Sequence, residues 1–498
     1  MFKPNSLFYT DGYKIGHKKM LAKGTCKLYG TWIPRSIKHA PKGITKIVSF
    51  GQQLVVRWLH DEFKENFFNL SKEEAMQFAK DMCLYLGMDY DGSHFGGLHN
   101  IGYLPIRIKA LPEGIETCPN IPHMTFVNTI DGFAWLTLYL ETIISSLAWK
   151  PSTSATIALQ YRRNSVEWVM KTDPANAWLI DFLAHDFSAR GLSPWDMLSS
   201  GLGHATSFKG SDTIICIPGS RYFYDEPKDQ VAIFSVNASE HSVSTTKIFT
   251  VGEQQMIADW LIDFPKGILS IVSDTFDLWK LITEYLPANK EAIMKRDGKL
   301  VIRSDSGDPV DIICGKEYSI MEGSLRDRTN EEIGVIELLW KIFGGTTNKQ
   351  GYKVLDPHIG AIYGDSINLE RQVEIYRRLE AKGFAATNIV LGVGSYTYQM
   401  NTRDTFGFAA KGAWFEVKNE DGNCISYDIY KDPVTDDGTK KSLKGKVAVF
   451  EQDGEYYVKT QCTYKEEQTG LLKTIYEDGK MYNQTSLTEV RKRISNLL

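Results

Sequence analysis

The sequence predicts an α/β protein: an irregular (β/α) barrel plus a mixed α+β domain built from both chain ends. Three observations predict it. From about Trp178, short apolar runs alternate with amphipathic helical patterns. Four of those runs, ILSIVSD, LVIRSD, GAIYGD and NIVLGVGS, end in polar or glycine tips. Finally, strand patterns recur as short hairpins near the carboxyl end, matching the mixed character of the amino-terminal third. Polar groups gathered at successive strand ends, with helices between them, mark a barrel whose site lies at one mouth. The expected division is 1–177 for the first part of the mixed domain, 178–411 for the barrel and 412–498 for the hairpins and helix that complete the first domain.

At the amino end, TDGYKIGH places Asp11, Tyr13 and His17 close together. An aromatic among ionisable groups suits either a ligand lid or subunit contact, or simply a polar start to the first helix. KLYGTWIPRSI and TKIVSFGQQLVVRWLHDEF predict a strand, a loop bearing Arg35, a second strand and a helix. Ser71 with Glu74 forms a capping box for a helix through about Leu86. LPIRIKALPEG alternates as a half-buried strand, while Phe133 to Trp149 and Ala155 to Met170 predict two long apolar helices. Glu141 at the middle of the first of these argues for a buried helix rather than a membrane span.

In the barrel region HDFSARG carries Phe187 and Arg190, FKGSDT carries Asp212, and SVNASEHS leads to His241. Helices over Gln254 to Phe264, Asp277 to Leu286, Glu331 to Phe343 and Leu369 to Gly383 separate strands ending at Asp274, at Arg303 with Asp305, at Gly364 with Asp365, and at Gly392 with Gly394. On an extended chain, residues two apart face the same way, so Arg303 and Asp305 emerge side by side. After Gly412, GAWFEVKN with CISYDIYKDP and KVAVFEQ with EYYVKTQ predict two hairpins that complete the amino-terminal sheet, and Ser486 with Glu489 caps a last helix.

The composition narrows the chemistry. A net charge of -4 over 498 residues excludes bulk affinity for nucleic acid or anionic membranes. The seven cysteines form no CxxC pair and no dense disulfide framework, and the first residues lack the apolar core of a signal peptide, so a reduced, cytoplasmic setting is expected. Paired carboxylates in a barrel would also suit a glycoside hydrolase. Arg190, Arg303, Arg403 and Lys411 beside glycine-rich strand ends fit phosphate better, because guanidinium groups bind phosphate in bidentate fashion. Backbone N–H groups from Gly392 to Ser395 offer a second phosphate site, and Asp305 and Asp365 suit ribose hydroxyls directly or through Mg²⁺. The inferred ligand is a ribose with more than one phosphate group.

The motifs TDGYK, LPIRIKALPEG, HDFSARG, FKGSDT, SVNASEHS, IVSDTFD, IRSDSGDP, IYGD, and TRD followed by KDPV together resemble the type II phosphoribosyltransferase family, and within it the members that use nicotinamide. The resemblance runs from about Phe8 nearly to the carboxyl end. It implies transfer of 5-phosphoribosyl from phosphoribosyl pyrophosphate to nicotinamide, giving nicotinamide mononucleotide and pyrophosphate. It further implies Mg²⁺, ATP as coupling substrate, and a homodimer with shared active sites.

By that resemblance Phe187 stacks on the pyridine ring with Tyr13 from the partner subunit on its other face. Asp212 accepts from the carboxamide and repels a carboxylate. Arg190, Arg303 and His241 surround the diphosphate. Asp305, Gly364 and Asp365 hold the ribose, and Gly394, Ser395, Arg403 and Lys411 the 5′-phosphate side. Arg35, Lys431 and Lys440 add contacts across the dimer. His241 resembles a histidine that is phosphorylated by ATP, and Asp274, Arg303 and Asp305 complete the catalytic set. A nicotinate-using relative and a non-catalytic protein on the same fold are the alternatives. Two stretches depart from the family's pattern: LGVGSY replaces a run of glycines, and HIGAIY has no basic residue before Gly364.

Overall fold

A computed structural model describes residues 3–317, 327–431, 434–435 and 442–498. The chain divides into two compact units: 1–156 with 219–228 and 401–497, and 157–218 with 229–400 and the last residue. Among the described residues no helix is long and apolar enough to cross a membrane.

The first unit is built on a seven-stranded sheet ordered Cys424–Asp428, Ala409–Lys418, Thr25–Ile33, Met124–Asn128, Ile106–Ala110, Lys473–Glu477 and Lys480–Met481. Its strands come from both chain ends, and every pairing in it is antiparallel. Strand Thr25–Ile33 is buried almost throughout, as a central strand covered on both faces must be. The first expected hairpin joins this sheet. The second, Ala448–Gln452 with Glu455–Lys459, instead forms a separate two-stranded ribbon. Its Val447 and Val449 are buried in a cluster with Tyr29 and Trp414, so packing rather than strand pairing holds it there.

The two apolar helices expected from Phe133 onward divide differently. The structure has a short helix Ala134–Tyr139 and one of 32 residues, Glu141–Thr172, that continues through Pro151. Proline removes one internal hydrogen bond and normally breaks a helix, but the flanking Ala148 and Ala155 and the intervening Ser152 are fully buried or nearly so. Burial of that stretch outweighs the local signal to stop.

The second unit is the barrel. A six-stranded, wholly parallel sheet runs Ala184–Asp186, Ile389–Val393, Ile359–Tyr363, Leu300–Ser304, Leu269–Val272 and Asn237–Ala238. Isolated parallel bridges, Asp186 with Ser211 and Gly210 with Phe234, lead from one edge of that sheet back toward the other. The inner strands Leu269–Val272, Ile359–Tyr363 and Ile389–Val393 are covered on both faces and read as nearly uninterrupted apolar runs, which is why the sequence announces them. Ile359–Tyr363 is buried at all five positions. Three of the helices between strands start on side-chain caps: Ser193 for Pro194–Ala205, Asp308 for Pro309–Cys314 and Asn368 for Leu369–Ala381. In the last of these, Leu369, Gln372, Ile375, Tyr376 and Leu379 form the buried stripe.

Candidate active site

The carboxyl ends of the barrel strands carry the polar groups. Strand Leu300–Ser304 delivers Arg303, whose Nη2 donates to Asp305 Oδ2 at 3.2 Å. Gly307, at a φ of 86°, then turns the chain into helix Pro309–Cys314. One strand over, Asp274 Oδ2 accepts from the backbone N–H groups of Asp305 and Ser306 at 2.9 and 2.8 Å, and from Ser306 Oγ at 2.5 Å. The two strand ends are thereby locked together.

Helix His241–Val251 starts beside them. His241 Nε2 stands 3.1 Å from Asp305 Oδ1 and 3.7 Å from Asp274 Oδ1, and Nδ1 lies 3.3 Å from Thr275 Oγ1. Asp274 Oδ1 and Arg303 Nε are both buried with no hydrogen-bond partner among the described residues. Leaving a buried polar atom unpaired costs about 1–3 kcal/mol and more for a charged group, so Asp274 Oδ1, 3.7 Å from His241 Nε2, is the atom left for a ligand, while Arg303 Nε lies against Gly364. The His241, Asp274 and Asp305 ligand atoms lie within 4.8 Å of one another, a donor set that fits a hard divalent cation through its carboxylates.

A second cluster adjoins the first. Phe187 follows strand Ala184–Asp186, and the Arg303 guanidinium lies 5.0 Å from its ring centroid. His185 packs against the same ring at 4.6 Å and meets Asp212 Oδ1 through Nε2 at 3.0 Å. Ser235 Oγ donates to that same carboxylate oxygen. Partial burial pushes the Asp212 carboxyl up, but the His185 and Ser235 hydrogen bonds, with the charges of His185 and Arg303, outweigh it and hold the group below the usual carboxylate range. Phe187, His185, Asp212 and Arg303 line a cavity of about 410 Å³ inside the barrel, whose walls are otherwise mainly apolar, among them Phe234, Val236, Val301 and Ile362. Such a slot takes a flat heteroaromatic ring with a polar substituent.

Glycines set the close approaches. A Cβ at Gly364 would sit 2.6 Å from Arg303 Nε, and one at Gly394 would sit 2.2 Å from Asp365 Oδ1. Gly191 lies against Ser395, so the loop carrying Arg190 meets the turn after strand Ile389–Val393. Arg190 itself is exposed.

The barrel therefore gathers Phe187, Arg190, Asp212, His241, Asp274, Arg303, Asp305, Gly364, Asp365, Gly394 and Ser395 around its strand ends. Tyr13, Arg35, Arg403, Lys411 and Lys431 belong to the first unit. There Tyr13 is two-thirds exposed, Arg35 Nε donates to the Gly407 carbonyl, Arg403 pairs with Asp404, and Lys411 Nζ lies 3.6 Å from Glu141. The Lys431 backbone N–H donates to Ser442 Oγ. Lys440 lies outside the described residues. Ser235, Thr275 and Ser306 join the site without having been singled out from sequence, while His185 is among the polar groups of the HDFSARG run though no role was given to it. His185 was legible in principle, two residues before Phe187 on an extended chain. Ser235 and Ser306 reach their carboxylates across strands, which no local pattern encodes.

Residues 182–480 match the profile of the nicotinate phosphoribosyltransferase (NAPRTase) family. A nicotinamide phosphoribosyltransferase from Acinetobacter baylyi is 39% identical, covering 100% of this chain and 98% of the relative. One from Xanthomonas campestris is 33% identical over 78% of this chain and 79% of its own length, and one from Mycoplasma pneumoniae 30% identical over 88% and 94%. Two solved structures share the fold, both at a TM-score of 0.55. The nicotinate-nucleotide pyrophosphorylase of Pyrococcus furiosus is 15% identical, with 99% of this chain and 95% of that chain covered; human nicotinic acid phosphoribosyltransferase is 14% identical, with 98% and 93% covered. On its sequence, this chain belongs to the nicotinate phosphoribosyltransferase family.

Proposed function

We propose that this enzyme transfers 5-phosphoribosyl from phosphoribosyl pyrophosphate to nicotinamide, giving nicotinamide mononucleotide and pyrophosphate, as a step of NAD salvage. One observation carries the choice of the amide: Asp212, held ionised by His185 and Ser235, faces the ring slot beside Phe187. A carboxylate there accepts from the carboxamide NH₂ and repels nicotinate. The names of the bacterial relatives agree with that reading.

The reaction breaks the bond from the anomeric carbon to pyrophosphate and forms one to the pyridine nitrogen. Arg303 and Arg190 stabilise the departing anion, and Phe187 holds the ring so that its nitrogen lies in line. No general base is required, because the pyridine nitrogen already carries a lone pair. Asp305, Gly364 and Asp365 hold the ribose, and Gly394 and Ser395 the 5′-phosphate. Asp274 and Asp305 would hold Mg²⁺, which when bound neutralises phosphate charge; the unpaired Asp274 Oδ1 supports that fit. His241, oriented by Asp305 and Thr275, is suited to accept a phosphoryl group from ATP, so that hydrolysis of the phosphohistidine drives synthesis.

In the same reading the enzyme is a cytoplasmic homodimer. Tyr13 of the partner subunit closes the second face of the ring slot, and Arg403, Lys411, Arg35, Lys431 and Lys440 supply cations across the interface. The exposure of Tyr13 supports that use. Incubating the full-length chain with phosphoribosyl pyrophosphate, Mg²⁺ and either pyridine, with and without ATP, tests the proposal. Nicotinamide mononucleotide, formed faster with ATP, is the expected product; nicotinate mononucleotide as the main product would overturn it.

A further inference from the structure

In the first unit, Cys26 from the amino-terminal part meets two residues of a carboxyl-terminal hairpin on the seven-stranded sheet. Cys26 lies in strand Thr25–Ile33, Glu416 in Ala409–Lys418 and Cys424 at the start of the edge strand Cys424–Asp428. These strands are consecutive neighbours, with Ala409–Lys418 in the middle. The register between the first two shifts at Cys26, between Thr25 and Lys27. On the other side Lys418 pairs with Cys424, and Glu416, two residues along, shares that face of the strand. The two thiols and the Glu416 carboxylate offer ligand atoms that all lie within 4.8 Å of one another. Cys26 is buried, Glu416 half-buried and Cys424 exposed, so the cluster is open to solvent on one side. Tyr464 OH hydrogen-bonds Glu416 Oε2 at 3.4 Å, and its ring packs edge-on against Trp414 at 5.6 Å, which restrains the carboxylate.

We propose that Cys26, Cys424 and Glu416 form a binding site for one borderline-soft divalent metal ion of the zinc class, with water as the remaining ligand. Two thiolates on one tetrahedral zinc stand about 3.8 Å apart, given Zn–S distances near 2.3 Å, and a carboxylate oxygen completes the set at about 2.1 Å. The cluster needs only a small contraction to reach that arrangement. A disulfide fits less well. The two cysteines sit on strands separated by a third, so their Cα atoms are about 9.5 Å apart at normal strand spacing, whereas a disulfide needs less than about 7 Å. Binding forms two metal–sulfur bonds and one metal–oxygen bond, and the two thiol protons pass to solvent. The ion would staple the edge strand Cys424–Asp428 to strand Thr25–Ile33 across the strand between them. Two thiolates also select a different metal from the carboxylate and imidazole set at the barrel mouth.

Titration of the reduced, metal-free, full-length chain with Co²⁺ tests this. The expected result is a thiolate-to-cobalt charge-transfer band in the near ultraviolet that saturates at one equivalent and is displaced by Zn²⁺. The cluster at the barrel mouth has no sulfur and cannot give that band. Cys424→Ser, at an exposed position, should lose at least half of it, Glu416→Gln should weaken binding tenfold or more, and Cys118→Ser should leave it unchanged. Three results would overturn the site: no near-ultraviolet band in the wild type, a band that survives in the Cys26→Ser/Cys424→Ser double variant, or a Cys26–Cys424 crosslink in the unreduced chain by peptide mapping.

Discussion

His241 Nε2 and Asp305 Oδ1 stand 3.1 Å apart, joining the start of a helix to the end of a barrel strand 64 residues later in the chain. The contact aims the imidazole at the region between Asp305 and Asp274. If His241 carries the phosphoryl group, His241→Ala should abolish the stimulation by ATP while leaving slow, ATP-independent synthesis of nicotinamide mononucleotide. Full stimulation in that variant would remove the phosphohistidine from the scheme. Product formation under initial-rate conditions, with and without ATP, reads this directly.

Arg303 touches both halves of the site, the Phe187 ring on one side and Asp305 on the other. Loss of a positioned donor to developing negative charge typically lowers kcat by about 10²–10³-fold, and Arg303→Ala is expected to fall in that range. Arg303→Lys should recover little, since an ammonium cannot replace a planar fork over a ring. A variant with kcat within a factor of two of wild type would show that the guanidinium does not meet the leaving group.

Gly364→Ala is expected to act through Arg303. The added methyl would press on Nε at 2.6 Å, and displacing a reacting group by about 1 Å can cost 10²-fold in rate. The fold should survive, because the clash is with the end of a side chain. Circular dichroism and kcat/KM measured on one sample separate these effects; a drop in activity accompanied by unfolding would contradict the explanation.

His94 supplies a pH prediction unrelated to catalysis. Its ring is buried against Phe95 and Trp135, and burial, with Lys18 nearby, lowers its pKa to about 4. The unfolded chain, with an ordinary value near 6.5, binds that proton first, so stability is full above about pH 6.5 and declines as pH falls toward 4. The single group contributes roughly 3 kcal/mol to that decline. His94→Phe should narrow the difference in melting temperature between pH 7 and pH 5; an unchanged difference would place the acid sensitivity elsewhere.

The barrel was legible in the sequence because parallel strands covered on both faces must be continuously apolar. LVIRSD and GAIYGD therefore announced strands Leu300–Ser304 and Ile359–Tyr363 together with their polar ends. The break expected between Trp149 and Ala155 does not occur, because burial of the turns around Pro151 carries helix Glu141–Thr172 straight through. The ribbon Ala448–Gln452 with Glu455–Lys459 was legible as a hairpin but not in its attachment, since pairing partners lie outside any local window. Ser235 lies 23 residues from Asp212, and only the curvature of the barrel brings its hydroxyl to that carboxylate.

Asp212 also gives a pH expectation. Because its carboxyl is held below the usual range, it stays charged from pH 8 down to about pH 5, and preference for the amide should be flat over that interval. A preference that fades between pH 7 and pH 6 would implicate another group.

The ratio of kcat/KM for nicotinamide to that for nicotinate, measured in the wild type and in Asp212→Asn, tests the account most directly. A like charge in a partly buried site costs about 1–3 kcal/mol, so the wild type should favour the amide by roughly 10–100-fold or more, and the neutral variant should lose most of that margin. A wild type that prefers the acid, or a ratio that does not move in Asp212→Asn, would contradict it.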